Sequence, residues 1–312
     1  MKLEYPRKVA IGFQEGTCPL NCPKCFAFGG KLGRKKTAQK MTFENAMVLI
    51  DEISEWKIKP IIQPHIFTEP FANKELGDII RYCHGKDIFM SIITNGILID
   101  EKWMKCILSE LDRRDTLSFS LDAVSQGTYE RVRGKYSLEW IEGKVEYLLS
   151  HRTDSNGPRI SVNYTVEAEN CHEVQEFIEK WKNLADAVRV TVAIDENKKI
   201  PDMFRKKDGG EISGCGFLDE VMTIDTDGHV RVCQYDAFGE SDFGNVFEKG
   251  ILGIWQGDDL EHHRLMQEDG SLHKNDYCYQ CEGACGTKLI AREMGDFLVK
   301  EADYSIYYNR RV

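Results

Sequence analysis

The amino-acid sequence predicts an α/β fold built on a parallel sheet, and three observations lead to that class. Six short apolar segments alternate with segments of helical periodicity between residues 9 and 194, a rhythm typical of repeated strand–helix units. Polar residues and cysteines follow several of these strands, at the carboxyl ends where such sheets collect their functional groups. After Ile194 the alternation stops, and a smaller region with its own cysteines begins.

The strands are predicted from short apolar runs that end at polar or turn-forming residues. They cover residues 9–13, 60–67, 88–93, 116–121, 159–166 and 187–194. The helices between them follow from apolar residues at helical spacing, with Thr42 and Asp100 as N-terminal caps. They cover residues 41–56, 73–84, 100–112, 137–150 and 173–184. We expect the polar groups just past the strand ends to share one face of the sheet.

The last third of the chain has a different character. Two apolar runs, 221–225 and 229–233, flank Asp227-Gly228, which is a strong β-hairpin signal. Residues 251–266 are predicted to be helical, and residues 291–312 to form a helix and a tail. The predicted domains are therefore 1–196, a linker at 197–214, a small domain at 215–290 and the C-terminal helix and tail.

Composition narrows the class of protein. The net charge of −10, from 41 basic and 51 acidic residues, argues against nucleic acid as a partner. The sequence has neither an apolar run long enough to span a membrane nor a signal-peptide core at its start, which predicts a cytoplasmic protein without a membrane partner. In that reducing compartment, the eleven cysteines are better explained as metal ligands and buried thiols than as disulfides.

Three of the cysteines, Cys18, Cys22 and Cys25, lie close together after the first strand with the spacing C-x3-C-x2-C. Three thiolates can hold three irons of a 4Fe–4S cluster and leave the fourth iron without a protein ligand. A zinc site would need a fourth cysteine or histidine nearby, and none follows before His65. A zinc site closed from a distance, or cysteines of no special role, remain as alternatives.

A second set of cysteines comprises Cys215, Cys233, Cys278 and Cys281. Two thiols that bracket a hairpin, together with a C-x2-C pair, can form a four-ligand site for zinc or for a second iron–sulfur cluster. Cys285 would be a fifth thiol. It is open whether Cys285 is an alternative ligand, a hydrogen donor in catalysis or a plain buried cysteine.

The cysteine triplet after a first strand, followed by strand–helix units to a total of six strands, resembles the radical S-adenosylmethionine (SAM) superfamily. Phe-Thr-Glu-Pro at 67–70 is similar to the family's GE-P segment, and Thr-Asn-Gly at 94–96 to its T-N-G segment. Arg133-Gly134 resembles the R-G found after the fourth strand. Two departures are Lys24, where the family usually has an aromatic residue, and Thr68, where it usually has glycine.

The resemblance implies a partial (β/α)6 TIM-like barrel that binds SAM through an iron–sulfur cluster. It implies that Cys18, Cys22 and Cys25 hold a 4Fe–4S cluster and that Glu69 meets the amino group of SAM. Further residues implied in cofactor binding are Thr94, Asn95, Ser118, Ser120, Asp122, Arg133 and Asn163. A flavodoxin- or ferredoxin-type protein is the implied reductant.

The C-terminal part resembles the SPASM/twitch subgroup. Its cysteine spacing is similar to the shorter twitch form of 2-deoxy-scyllo-inosamine dehydrogenases, which implies one auxiliary 4Fe–4S cluster held by Cys215, Cys233, Cys278 and Cys281. The implied reaction is hydrogen abstraction from a small molecule or peptide by a 5′-deoxyadenosyl radical, followed by two-electron oxidation. Epimerisation with Cys285 as hydrogen donor, peptide modification by a maturase, and a non-catalytic iron–sulfur or zinc protein are the alternatives.

Overall fold

The computed structural model describes residues 3–25, 27–29, 36–153, 156–192, 215–236, 238–272, 278, 290–294, 297–302 and 305–310. The chain folds into two compact units. The first comprises Met1–Cys18, Leu32–Ile92 and Glu211–Gly286, and the second comprises Pro19–Lys31, Ile93–Gly210 and Thr287–Val312. The predicted domain boundaries at 196 and 214 lie outside the described residues and stay predictions.

The described strands are β1 (Lys8–Ile11), β2 (Gln14–Glu15), β3 (Gln39–Lys40), β4 (Ile61–Gln63), β5 (Ser91–Thr94), β6 (Thr116–Ser120), β7 (Arg159–Val166), β8 (Ala187–Val192), β9 (Val221–Ile224), β10 (Val230–Arg231), β11 (Ile290–Met294), β12 (Phe297–Ala302) and β13 (Ser305–Arg310). The described α-helices are α1 (Phe43–Ser54), α2 (Leu76–Gly85), α3 (Glu101–Glu110), α4 (Gln126–Val132), α5 (Leu138–His151), α6 (Val174–Trp181), α7 (Gly216–Glu220), α8 (Val246–Lys249), α9 (Ile251–Trp255) and α10 (Asp258–Glu268). All six predicted strands are present, as β1, β4, β5, β6, β7 and β8.

The first unit contains a four-stranded sheet in the order β10-β9-β1-β4. The strand β1 pairs in parallel with both β4 and β9, and β9 pairs antiparallel with β10. The hairpin predicted around Asp227-Gly228 is therefore confirmed, and its first strand lies beside the first strand of the chain. Gly228 has a φ of 90°, which explains why this turn takes glycine.

A seven-stranded sheet has the order β11-β12-β13-β8-β7-β6-β5, and all of its residues except Ser91 and Ile92 of β5 belong to the second unit. The strand β7 pairs in parallel with β6 and β8. Val162, Val188 and Val190 are fully buried in this sheet, as expected for parallel strands that are covered on both faces.

The predicted C-terminal helix over 291–312 is wrong, because that segment forms β11, β12 and β13. The strand β13 pairs antiparallel with β8 and extends the sheet of the second unit. The segment is rich in β-branched and aromatic residues, as in Ser-Ile-Tyr-Tyr at 305–308, which favours a strand where an open sheet edge offers a partner. Tertiary pairing with β8 decided the outcome.

The predicted helix caps are confirmed. The side chain of Thr42 accepts a hydrogen bond from the N–H of Asn45 at 3.2 Å, and that of Asp100 from Trp103 at 2.8 Å. The helix predicted over 251–266 is divided into α9 and α10 near Gly257. None of the helices in the described ranges has the length and apolar character needed to cross a membrane.

Candidate functional site

The cysteine loop after β1 contains a compact turn. The N–H of Cys25 donates to the carbonyl of Cys22 at 2.9 Å, and the N–H of Gly29 donates to the carbonyl of Cys25 at 2.8 Å. A Cβ atom at Gly29 would lie 2.6 Å from the carbonyl oxygens of Cys22 and Pro23, so this turn requires glycine. Cys22 is buried and Cys25 is half-buried. Cys18 belongs to the first unit and is also half-buried.

Asp122, at the end of β6, is the centre of an ion-pair network in the second unit. It is fully buried and has a φ of 59°, an uncommon conformation for a residue other than glycine. One carboxylate oxygen accepts the N–H of Thr165 at 2.6 Å. The other pairs with Lys24 and, at 2.6 Å, with Arg133. Although burial opposes ionisation, the charges of Arg133 and Lys24 lower the pKa of Asp122 below its ordinary value.

The same network reaches the cysteine loop. Lys24 lies between Cys22 and Cys25 in sequence and also pairs with Glu167 at 3.0 Å. The guanidinium Nη1 of Arg133 lies 3.8 Å from the Sγ atom of Cys22. These contacts bring together residues that are about a hundred positions apart in sequence, such as Lys24 and Asp122 with a separation of 98. The pairing of Lys24 was not predicted from the sequence. The signal that could have found it is the position of this lysine between two cysteines, where the family usually has an aromatic residue.

Ser118, Ser120 and Asn163 lie on one face of the β6–β7 pair. Ser120 is opposite Asn163 in the parallel register, and residues two apart on a strand share a face. Ser118 and Asn163 are buried, and the Oδ1 atom of Asn163 has no hydrogen-bond partner in the described part of the chain. Because buried polar groups are almost always bonded, this face suits a polar ligand.

The Thr-Asn-Gly turn after β5 is held by its own side chains and by a buried lysine. The hydroxyl of Thr94 accepts the N–H of Gly96, and the Oδ1 atom of Asn95 accepts the N–H of Ile97, both at 2.9 Å. The Nζ atom of Lys144 on α5 lies 2.8 Å from the carbonyl oxygen of Gly96. Lys144 was missed in the sequence, because it is one of several charged residues in this helix and no local pattern marks it as buried.

Glu69 lies in the first unit and is buried. Its N–H donates to the carbonyl of Thr17 at 2.8 Å, and its carboxylate accepts the N–H of Phe71 at 3.4 Å. The hydroxyl of Thr68 donates to the same Thr17 carbonyl at 2.7 Å. Thr68, where the family usually has glycine, thus helps to join the segment that leads into the cysteine loop to the segment that carries Glu69.

The first unit also contains an ion pair between Glu15 of β2 and Lys36. Glu15 is buried, and its Oε2 atom lies 2.7 Å from the Nζ atom of Lys36. Burial raises the pKa of Glu15 above its ordinary value, and the charge of Lys36 opposes that shift. His65, two residues after the end of β4, is also buried, and burial lowers the pKa of its imidazole to about 3. His65 is therefore neutral at physiological pH.

The second cysteine set lies in the first unit as far as the structure describes it. The N–H of Cys215 donates to Gln267 at 2.6 Å, and the Sγ atom of Cys233 accepts the N–H of Tyr235 at 3.3 Å. Cys278 is half-buried. Cys281 and Cys285 lie outside the described residues.

Comparison with known families identifies the chain. The model of the radical SAM superfamily matches residues 16–181, more than half of the 312 residues. The chain belongs to the radical SAM superfamily. A second model, described as an iron-sulfur cluster-binding domain, matches residues 215–282. The resemblance to SPASM-type radical SAM enzymes and the partial TIM-like α/β fold predicted from the sequence are confirmed.

Two curated relatives illustrate the similarity in sequence. An uncharacterized protein of Treponema pallidum (strain Nichols) is 26% identical over 263 residues, which are 79% of this chain and 70% of that protein. The PqqA peptide cyclase of Granulibacter bethesdensis is 24% identical over 177 residues, which are 56% of this chain and 44% of that enzyme. The chain spans about half the length of the PqqA peptide cyclases that it matches.

Solved structures share the fold. The crystal structure of BtrN in complex with AdoMet and 2-DOIA has a TM-score of 0.59 and 17% identity, and the match covers 90% of this chain and 94% of BtrN. Streptococcus suis SuiB bound to S-adenosylmethionine has a TM-score of 0.65 and 17% identity, with 91% and 72% covered. SuiB is also known bound to its precursor peptide SuiA.

The cofactors of this radical SAM protein are SAM and 4Fe–4S clusters. The residues present fit these groups. Cysteine thiolates are the ligands that hold iron–sulfur clusters. The hydroxyl of Tyr129, the Nε atom of Arg133 and the Oδ1 atom of Asn163 are buried and have no hydrogen-bond partner among the described residues. A polar cofactor such as SAM can satisfy atoms of this kind.

Proposed function

We propose that this protein is a radical SAM oxidoreductase that removes a hydrogen atom and then a second electron from its substrate. The cofactor supplies the chemistry, since reductive cleavage of bound SAM gives methionine and a 5′-deoxyadenosyl radical that abstracts hydrogen from a C–H bond. The auxiliary cluster, which Cys215, Cys233, Cys278 and Cys281 would hold, would supply an acceptor for the second electron, and a base would take the second proton. The two steps together remove two electrons and two protons from the substrate.

The observation that carries this proposal is the coexistence of two cysteine sets in one chain. Cys18, Cys22 and Cys25 would hold the SAM-binding cluster, with one iron left for SAM. Cys215, Cys233, Cys278 and Cys281 would hold one auxiliary 4Fe–4S cluster, and the matched iron-sulfur cluster-binding domain at 215–282 supports this role. A second cluster provides an acceptor for the electron that the substrate radical loses.

The protein's own residues would hold SAM. Glu69 is buried and its backbone N–H is bonded to Thr17, and its carboxylate would form a charge-assisted hydrogen bond with the amino group of SAM. Thr94 and Asn95 would line SAM on the turn that Lys144 holds. Ser118, Ser120 and Asn163 would contact it from one face of β6 and β7. Asp122 already pairs with Lys24 and Arg133, and we propose that it positions the loop more than it contacts ribose.

A second candidate is modification of a peptide. Three curated relatives are PqqA peptide cyclases, and SuiB, which shares the fold, is known with a precursor peptide. A peptide substrate would be compatible with the same two clusters, because oxidation of a side-chain radical also needs an electron acceptor. In this case the protein would be a maturase whose substrate radical forms a new bond within the peptide.

Reconstitution and SAM cleavage test the proposal. Anaerobically reconstituted protein should bind about eight irons as two 4Fe–4S clusters, and with SAM and dithionite it should produce 5′-deoxyadenosine. The triple variant Cys18→Ala/Cys22→Ala/Cys25→Ala should keep about four irons and produce none. Cys106→Ala, at a half-buried position of α3, is the matched control and should behave like the wild type. Product formation by the triple variant would contradict the assignment.

Deuterium transfer distinguishes the substrate classes. The reconstituted protein would be incubated with SAM, dithionite and extracts from cells grown in deuterated medium, separated into a peptide fraction and a small-molecule fraction. Transfer of deuterium into 5′-deoxyadenosine from the peptide fraction would favour the maturase, and transfer from the small molecules would favour the dehydrogenase. Cys285→Ala tests epimerisation, because loss of turnover with intact clusters would identify Cys285 as the hydrogen donor.

A further inference from the structure

We propose that Lys24, Asp122 and Arg133 form a charge network, the loop clamp, that positions Cys22 and raises the reduction potential of the SAM-binding cluster. This inference rests on the proposed role of Cys22 as a ligand of that cluster. It assigns to Lys24 and Arg133 a function in setting the electron affinity of the cluster, beyond any contact with SAM.

Arg133 contacts the sulfur of Cys22. The Nη1 atom of Arg133 lies 3.8 Å from the Sγ atom of Cys22, and that Sγ atom lies 3.6 Å from the carbonyl oxygen of Arg133. A thiolate that binds iron has no proton to donate, so only the contact in which the guanidinium donates to sulfur persists when the cluster is present. Arg133 is thereby a hydrogen-bond donor to a proposed cluster ligand.

Lys24 lies in sequence between two of the proposed ligands, Cys22 and Cys25. Its side chain is only 14% exposed, and it pairs with Asp122 and with Glu167. Arg133 is 11% exposed and pairs with the same oxygen of Asp122. Two cations therefore oppose two carboxylates in this network. Removal of either cation would leave one negative charge without compensation in this network, which reaches Cys22 through Arg133.

Two further hydrogen bonds hold Asp122 in place. Its Oδ1 atom accepts the N–H of Thr165 at 2.6 Å, and its carbonyl accepts the side-chain amide of Asn170 at 3.0 Å. Asp122 is thus fixed by the backbone at the ends of β6 and β7, in a conformation with positive φ. Since Lys24 and Arg133 both bind Asp122, their charges are held in defined positions relative to Cys22.

The consequence is electrostatic. Hydrogen bonds to the sulfurs and net charge are among the factors that set the potential of an iron–sulfur cluster. The reduced cluster carries one more negative charge than the oxidised cluster, so a cation and an N–H donor near its ligand stabilise the reduced form. The effect is strong at low solvent exposure, where charges are poorly screened. The loop clamp would make the cluster easier to reduce by a physiological electron donor.

Redox titration of the reconstituted full-length protein, followed by electron paramagnetic resonance, tests the proposal. The relevant signal is the one that changes when SAM is added, which separates this cluster from the auxiliary cluster. Arg133→Gln and Lys24→Met should lower its midpoint potential so that the ratio of reduced to oxidised cluster at a fixed potential falls at least tenfold, which is about 59 mV for one electron. Arg133→Lys keeps the charge and should give a smaller shift than Arg133→Gln.

Lys180→Met is the matched control, because it also removes one cation of the second unit. Lys180 on α6 pairs with Glu142 on α5 at 2.6 Å, and neither residue belongs to the cysteine loop or to the loop clamp. The SAM-responsive cluster of the Lys180→Met variant should have the same midpoint potential as that of the wild type. Iron content and the thermal unfolding midpoint of each variant would show whether the protein is folded and loaded.

The outcomes separate the two proposals. Suppose that the wild type gives a SAM-responsive signal, and that the ratio of reduced to oxidised cluster at a fixed potential in Arg133→Gln and Lys24→Met stays within threefold of the wild-type ratio. That result would overturn the inference and leave the proposed function standing. The inference is also overturned if Arg133→Lys and Arg133→Gln shift the potential no more than Lys180→Met does. If the wild type has no SAM-responsive signal, the proposed function fails, and the role of the loop clamp fails with it.

Discussion

The Nζ atom of Lys144 lies 2.8 Å from the carbonyl oxygen of Gly96 and 3.2 Å from that of Ile97. The ammonium group is buried on α5 and also lies 3.2 Å from the ring centroid of Trp140, a cation–π contact. Through this lysine, a helix positions the turn that carries Thr94 and Asn95. The placement of proposed SAM-binding residues therefore depends on a residue that need not touch SAM.

Lys144→Met should weaken SAM binding. The substitution removes the donor for two buried carbonyls, which costs about 1–3 kcal/mol when a buried polar group is left without a partner. If half of that cost falls on the turn, the Kd for SAM rises by about twofold to thirteenfold. Equilibrium dialysis with labelled SAM measures the Kd. Lys105→Met, at an exposed position of α3, is the control. An unchanged Kd in a folded variant would show that the turn is held without Lys144.

Glu52→Ala should destabilise the first unit. The carboxylate of Glu52 on α1 accepts the N–H groups of Ile251 and Leu252, at 2.7 and 3.2 Å, where α9 begins. Loss of this acceptor leaves N–H groups at a helix start without their partner, so the free energy of unfolding should fall by about 1–3 kcal/mol. Urea unfolding measures the change. Glu55→Ala, at an exposed position of the same helix end, should change it by less than about 0.5 kcal/mol.

Asp186 should make the stability of the second unit depend on acid pH. It accepts the N–H of Ile160 at 2.7 Å and pairs with Arg152 and Arg113. Burial opposes ionisation of Asp186, but the hydrogen bond from Arg152 and the other contacts lower its pKa below 3.8. Because the folded-state pKa is the lower one, the stabilisation is complete above pH 3.8 and is lost as the pH falls through the folded-state value.

Asp186→Asn removes this dependence and leaves Arg152 without its buried partner. Stability at neutral pH should therefore fall by about 3–5 kcal/mol, and the acid limb of the unfolding curve should become shallower. Thermal unfolding between acidic and neutral pH gives both quantities. Asp258→Asn, at an exposed position of α10, serves as the control. An acid limb as steep in Asp186→Asn as in the wild type would assign the dependence to other carboxylates.

Gly29→Ala should disrupt the cysteine loop. The added Cβ atom would lie 2.6 Å from the carbonyl oxygens of Cys22 and Pro23 and 2.7 Å from that of Cys25, so the backbone must move. We expect about half of the iron of the reconstituted protein to be lost, as one of two clusters, together with SAM cleavage. Iron analysis and 5′-deoxyadenosine formation measure the two effects.

The same change at Gly143 provides a matched comparison. A Cβ atom at Gly143, within α5, would meet no heavy atom within 4 Å. Because alanine favours helix over glycine, Gly143→Ala should stabilise the protein by about 0.5–1 kcal/mol and keep both clusters. Normal iron content in Gly29→Ala would show that the turn around Cys22 and Cys25 tolerates a shift of its backbone.

Local patterns in the sequence were sufficient for much of the fold. The six strands, the caps Thr42 and Asp100 and the hairpin at Asp227-Gly228 were predicted because each depends on residues that are neighbours in the chain. The C-terminal segment was predicted to be helical and forms strands, because its structure depends on pairing between β13 and β8, whose residues lie more than a hundred positions apart. The local composition of the segment alone does not show that the edge of the sheet at β8 is available for pairing.

The cysteine loop shows the same division within the candidate site. The sequence by itself determined the three thiols, their spacing and the family to which they point, since ligand type and spacing are local properties. Only the tertiary structure decided that Arg133 reaches Cys22 across a separation of 111 residues and that Lys24 pairs with Asp122 across 98. Such contacts form where parallel strands end side by side, because the sheet brings distant loops to one edge.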